Sequence, residues 1–157
     1  MEKKKTKAQV TWVGPGLRVV GEANDGPAIV LDSAHAPYGT STGPAPMDLV
    51  LIGLAGCTAM DVVSIMAKKR QPLTGLQVKV EAERAEQYPQ VYTKIDLEYV
   101  AYGKGVELSA LERAVSLSEE KYCGVTAMLR HSAVISRTIR VVEDQAVPKL
   151  PGEPVGV

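Results

Sequence analysis

The run from Pro46 to Ala67, Pro-Met-Asp-Leu-Val-Leu-Ile-Gly-Leu-Ala-Gly-Cys-Thr-Ala-Met-Asp-Val-Val-Ser-Ile-Met-Ala, limits what this chain can fold into more than any other stretch. Apolar and small residues fill nearly every position instead of one stripe. The pattern predicts a long helix covered all round, either by the rest of the chain or by a second copy. Pro46 suits a first helical turn, and Asp48 complements the positive end of the helix dipole. Lys68-Lys69-Arg70 followed by Pro72 mark the other end. A membrane span is a poor reading of the same run. Asp48 and Asp61 leave only the twelve residues from Leu49 to Met60 uncharged between them, short of the roughly 18 to 20 that a bilayer needs.

The remainder must supply partners for that helix. At 157 residues one domain over residues 1–143 is expected, with a tail over 144–157 that holds Pro148, Pro151 and Pro154 and reads as extended. Net charge is zero, with acids and bases interspersed, which argues against a nucleic-acid or membrane partner. The basic start runs into a strand pattern rather than an apolar signal core, so a cytoplasmic protein is expected. Two cysteines do not make a disulfide framework. They are packing residues, ligands or reactive thiols.

Local patterns place the other elements. Between Ala8 and Asp32, short β-runs alternate with turns at Gly14-Pro15-Gly16 and Asn24-Asp25-Gly26-Pro27, an antiparallel meander. The turn contains a GxG, but strands flank it and no helix follows, so it is no phosphate loop. Ser33 to Ala45 is rich in Gly, Pro, Ser and Thr and reads as a loop. Val78, Val80 and Ala82 alternate with charged residues, and after a turn at Gln87-Tyr88-Pro89-Gln90 so do Val91, Thr93, Ile95, Leu97 and Tyr99, a long hairpin with these residues inward. Ser109 and Glu112 have the spacing of a capping box, predicting a second helix from there to Tyr122-Cys123 with Leu111, Val115 and Tyr122 near one face. A short helical run over Val125 to Arg130 and a last strand over Val134 to Val142 complete the pattern.

Four side chains are candidates for chemistry. Cys57 stands mid-helix among Gly53, Ala55, Gly56 and Ala59, which leave space beside the sulfur. As a core residue it would act as a small hydrophobe. As a nucleophile it needs a nearby cation, because Asp61 one turn on would raise the thiol pKa if it faced the sulfur. Arg18, in an otherwise apolar strand after a tight turn, is either a solvated edge residue or that cation, since a guanidinium can hold a thiolate and a peroxide oxygen together. Cys123 lies at a helix break before Gly124, where it is either structural or a second thiol able to resolve an oxidised first one. Asp48 is most simply a helix-start carboxylate. His35 and His131 show no ligand spacing with the cysteines, which disfavours a metal site, and nothing in the sequence ties either to Cys57 as the base of an acyl-transfer pair.

The order of these features resembles the OsmC/Ohr family of osmotically inducible and organic hydroperoxide resistance proteins. The resemblance rests on the meander with an Arg after its turn, the Gly/Pro loop, the helix Pro46-Met-Asp-Leu with Gly56-Cys57 at its middle, the hairpin, and the second helix ending in Tyr122-Cys123. It covers roughly Val10 to Val142, and the wording of the helix is similar to the OsmC-like branch. The resemblance implies an α+β fold, antiparallel sheets packed on two central helices, in an intertwined homodimer with its sites at the dimer interface. It implies a thiol-dependent peroxidase for organic or fatty-acid hydroperoxides. Cys57 matches the peroxidatic thiol, Cys123 the resolving thiol in a Cys57 to Cys123 disulfide, and Arg18 the thiolate-orienting cation. Val50, Leu54 and Met60 would line an apolar substrate site. No bound cofactor or metal is implied, only an external dithiol reductant of lipoyl type. Two positions depart from the pattern: Met47 stands where well-studied members carry a Glu, with Asp48 one place later, and Gly124 follows the second Cys where they have Pro. Rival readings are a non-catalytic small-molecule-binding dimer, a redox sensor and a Cys-dependent hydrolase.

Overall fold

A computed structural model describes residue 3, residues 5–143, and residues 145 and 148. The tail expected over 144–157 therefore lies almost entirely outside the described residues. The chain falls into two compact units, Met1–Leu51 and Ile52–Val157.

The first unit is built on a three-stranded antiparallel meander, β1 (Ala8–Trp12), β2 (Val19–Ala23) and β3 (Ile29–Leu31). Register runs from Ala8 opposite Ala23 to Trp12 opposite Val19, and from Val19 opposite Leu31 to Gly21 opposite Ile29. Both expected turns are present. Gly16, at φ +75°, lies so close to the Tyr38 carbonyl oxygen that a Cβ would come within 2.1 Å of it, which explains a glycine there without any phosphate. Asn24 and Asp25 take positive φ at the second turn, a conformation that these two residue types tolerate. The loop from Ser33 to Ala45 folds around the buried Asp32 carboxylate, which accepts the Ser33 N–H at 2.7 Å, the Thr40 hydroxyl at 2.5 Å and the Thr42 hydroxyl at 2.7 Å.

The long helix α1 (Pro46–Lys68) begins in the first unit and continues through the second. Asp48, in its first turn, reaches back to accept the Ala45 N–H at 3.3 Å, half of a capping box. Within this chain the helix is not covered all round. Leu54, Thr58, Val62 and Met66 form the one buried stripe, whereas Ile52, Met60 and Val63 stay exposed. By length and composition α1 could cross a membrane; its buried stripe carries Thr58, which bonds to Tyr99 and Ser118.

The second unit carries a three-stranded sheet of β4 (Gly75–Arg84), β5 (Tyr92–Tyr102) and β6 (Val134–Val142), with β5 in the centre. The hairpin pairs β4 and β5 antiparallel, but β6 runs parallel to β5, from Lys94 opposite Val134 to Tyr102 opposite Val142. The sheet is thus mixed where antiparallel pairing was expected, because α2 (Leu108–Leu117) and α3 (Gly124–Leu129) form a crossover between the two strands.

Three local expectations change with it. Val91 and Thr93 face outward and Tyr92 is buried, because a bulge between Glu83 and Arg84 sets Arg84 opposite Tyr92 and reverses the alternation beyond it. The start of α2 is Glu107, with no side-chain cap, so Ser109 and Glu112 make no capping box. The chain also does not run as one α-helix to Cys123. After Leu117 it widens into a π-helical turn, Ser118–Tyr122, closed by a 2.7 Å bond from the Cys123 N–H to the Ser118 carbonyl. This rotates Tyr122 out to the surface and keeps Leu111 and Val115 buried.

Leu54 has no exposed surface. Leu54→Ala is expected to lower stability by about 2–5 kcal/mol, the cost of removing a buried leucine side chain and leaving a cavity. Urea unfolding at fixed protein concentration measures it, and an unchanged midpoint would show that the α1 stripe is not part of the core.

Candidate redox site

Cys57 and Asp61 stand four residues apart on α1, and so share one helix face beside the buried stripe. Cys123 arrives from the crossover. The Cys57 Sγ, a carboxylate oxygen of Asp61 and the Cys123 Sγ all lie within 4.8 Å of one another, and both thiols are free. Sulfurs that close need only modest side-chain rotation to reach bonding distance, provided the backbone geometry suits a disulfide.

The π-helical turn makes this meeting. Ser118, fully buried within it, places its Oγ 2.8 Å from Asp61 Oδ2 and 3.0 Å from Thr58 Oγ1, and Thr58 Oγ1 is 2.9 Å from the Tyr99 hydroxyl. A hydroxyl carries one hydrogen, and an ionised carboxylate only accepts. Ser118 is therefore the donor here, its one hydrogen shared between Asp61 Oδ2 and Thr58 Oγ1, while either hydroxyl can donate between Thr58 and Tyr99. Burial pushes the Tyr99 phenol above its ordinary value, keeping it neutral at the end of the row. Glu119, also in the turn, is paired with Arg137 of β6, and its carbonyl accepts from Arg130 beyond α3.

Cys123 stands just ahead of α3, and its sulfur accepts the Thr126 N–H at 3.3 Å, so the thiol takes the place of an N-cap oxygen. Burial pushes the Cys57 thiol above its ordinary value; the hydrogen bond to Cys123 and the negative charges of Cys123 and Asp61 act in the same direction, while the Val125 N–H opposes them. The second unit alone thus offers Cys57 a second sulfur and a carboxylate, two neighbours that disfavour its thiolate.

The remaining predicted residues are placed as follows. Arg18 belongs to the first unit, where its Nε donates to Thr42 Oγ1 at 2.9 Å and its Nη2 to Thr40 Oγ1 at 3.1 Å. Those hydroxyls in turn donate to Asp32, whose carboxyl they hold well below the usual carboxylate range. The guanidinium is therefore oriented by a built network, more than a solvated edge residue would have. Asp48 serves the start of α1. Leu54 faces the core, whereas Val50 and Met60 are exposed on this chain. His35 bonds Ser33 and His131 is exposed, and neither belongs to the cysteine cluster. Thr58, Tyr99 and Ser118 carried no sequence signal for the site. Asp61 did, through its spacing from Cys57.

Comparison with known proteins gives a consistent result. The family model described as OsmC-like protein matches residues 39–137. Protein YhfA of Escherichia coli is 39% identical over 136 residues, spanning 87% of this chain and 98% of its own length. A hypothetical protein from Aquifex aeolicus of known structure is 32% identical, with a TM-score of 0.75 over 92% of this chain and all of its own. An organic hydroperoxide resistance protein OsmC from Legionella pneumophila shares the fold at a TM-score of 0.63 and 16% identity, over 88% of this chain and 98% of its own.

Since the Cys123 sulfur and its charge both raise the Cys57 thiol, Cys123→Ala is expected to lower the midpoint of the pH dependence of Cys57 alkylation. Iodoacetamide rates followed by mass spectrometry measure it. A midpoint that stays or rises would mean that the two sulfurs do not interact in the reduced protein.

Proposed function

The chain belongs to the OsmC-like family, and from that membership and its paired sulfurs we propose that it is a thiol-dependent peroxidase for organic hydroperoxides, fatty-acid hydroperoxides among them. The observation that carries the reading is the approach of two free thiols to within 4.8 Å from separate helical elements. The family includes organic hydroperoxide resistance proteins, as the Legionella pneumophila structure is named.

In this reading Cys57 reacts as the thiolate. Its sulfur attacks the distal peroxide oxygen, the O–O bond breaks, and the alkoxide leaves as alcohol after taking a proton. Cys57 is left as a sulfenic acid, oxidised by two electrons. The Cys123 sulfur then attacks the Cys57 sulfur and expels water, closing the Cys57 to Cys123 disulfide. An external dithiol, of lipoyl type, reopens it by exchange and is itself oxidised. Burial and Asp61 oppose the thiolate, so a cation is required, and Arg18 is assigned that part. Asp48 caps α1 in this scheme, leaving no carboxylate assigned to Arg18 where well-studied relatives use Glu. Apolar side chains such as Val50 and Met60 favour an alkyl hydroperoxide over hydrogen peroxide, with Leu54 supporting them from the core. Family members are generally dimers, and a homodimer would cover the exposed apolar residues of α1. The protein is assigned to the cytoplasm.

Steady-state consumption of cumene hydroperoxide with a dithiol tests the scheme. Wild type is expected to turn over, Cys57→Ser to fall to the uncatalysed background, and Cys123→Ser to lose dithiol-supported turnover. One equivalent of hydroperoxide should remove two hydrogens from the wild-type mass and link the two cysteine peptides. Unchanged consumption in Cys57→Ser sinks the proposal. Ester or thioester hydrolysis that needs Cys57 but not Cys123 would instead indicate a hydrolase, and ligand affinity surviving loss of both thiols a binding protein.

A further inference from the structure

Cys57, Cys123 and Asp61 present three donor atoms of ligand type within 4.8 Å of one another. Around a tetrahedral zinc ion, with Zn–S of about 2.3 Å and Zn–O of about 2.0–2.2 Å, neighbouring ligand atoms stand roughly 4 Å apart. Little contraction separates the two arrangements.

The outer partners of such a site are in place. Ser118 fixes Asp61 at 2.8 Å and is backed by Thr58 and Tyr99. The Thr126 N–H bonds the Cys123 sulfur at 3.3 Å, and the Val125 N–H faces that of Cys57. Partners of this kind orient first-sphere ligands and add to metal affinity. Asp61 also lines an open cavity of about 280 Å³ together with Ser64, Ile65, Lys68, Leu117 and Tyr122, whereas neither sulfur lines it.

We propose that the reduced Cys57–Cys123 pair, with Asp61 as third ligand, binds one thiophilic divalent cation of the zinc type, its fourth position open to water. Two thiolates select such a soft-ligand ion over magnesium or calcium. Binding releases the two thiol protons and moves no electron, so the ion and the disulfide exclude each other. The metal site stands on its own geometry; the consequence that the ion shields the pair from hydroperoxide rests on the peroxidase reading.

Reduced, metal-free protein titrated anaerobically with Co2+ and then Zn2+ tests this. A thiolate-to-cobalt charge-transfer band saturating at one equivalent and abolished by Zn2+ is expected. Cys57→Ser and Cys123→Ser should each remove the band, with folding checked by circular dichroism. Asp61→Asn, keeping both thiols, should weaken Co2+ binding by at least about 10–100-fold, the loss typical even of an outer partner. Zn2+-loaded wild type should keep its mass after hydroperoxide, and a chelator should restore the loss of two hydrogens. The site is refuted if folded wild type shows no charge-transfer band, if Cys57→Ser retains it, or if Asp61→Asn binds as tightly as wild type. A metal-free peroxidase assay that fails while Co2+ binds defeats only the peroxidase reading; the converse result defeats only the metal site.

Discussion

The Ser118 hydroxyl is the contact on which the arrangement of the second unit depends. It has no exposed surface, and through it the central helix, the central strand and the crossover are joined by one row of hydrogen bonds, Asp61 to Ser118 to Thr58 to Tyr99. A buried polar group left without a partner costs about 1–3 kcal/mol. Sliding α1 along β5, or rewinding the π-helical turn as α-helix, would strand several such groups together. The row therefore fixes a relative position that apolar packing alone would leave free to drift. The Glu119–Arg137 pair and the Arg130 contact hold the turn from outside. Insertion of one residue into a helix is costly and recurs at functional positions. Here it aims Ser118 inward at Asp61 and stops the helix in time for Cys123 to precede α3.

That precision serves a site whose parts are electrostatically at odds. Two sulfurs and a carboxylate share a half-buried corner, and the nearest compensation within the unit comes from backbone amides of α3. A thiol so placed is quiet until positive charge reaches it. In the proposed peroxidase that charge is a guanidinium, and in the proposed metal site it is a divalent cation. Arg18, the cation assigned in the proposed peroxidase, is held by Thr40 and Thr42, whose hydroxyls donate in turn to Asp32.

Features set by local chemistry were legible in the sequence. The meander and its turns, the long helix, the hairpin and the final strand follow from glycine and proline punctuation and from periods of two or of three to four. What was not legible depends on partners far along the chain. The bulge at Glu83/Arg84 reverses the side-chain phase of Val91 and Thr93, and no local pattern announces it. Ser109 and Glu112 have capping spacing, yet the crossover enters α2 two residues earlier, at Glu107. The parallel pairing of β6 is a matter of topology that alternation cannot report. At the site, the residue types identified Cys57 and Cys123 as candidates, and only the family resemblance suggested that they meet. Asp61 was noticed for its spacing, whereas Ser118 and Thr58 looked like ordinary helix residues because their role exists only across 60 positions of chain.

The parallel pairing of β5 and β6 also has a temporal meaning. Cys57 leaves the ribosome well before Cys123, and nothing near it in sequence can bring the second sulfur close. The crossover that carries Cys123 is anchored at both ends by strands, β5 before it and β6 after it, and these two pair with each other. Non-local pairing of this kind is intrinsically slow to form, because the entropy of loop closure is lost before the contact is gained. The two thiols thus become a pair only through tertiary packing across 66 positions of chain, and a chain cut short before Cys123 holds a single sulfur on an apolar helix.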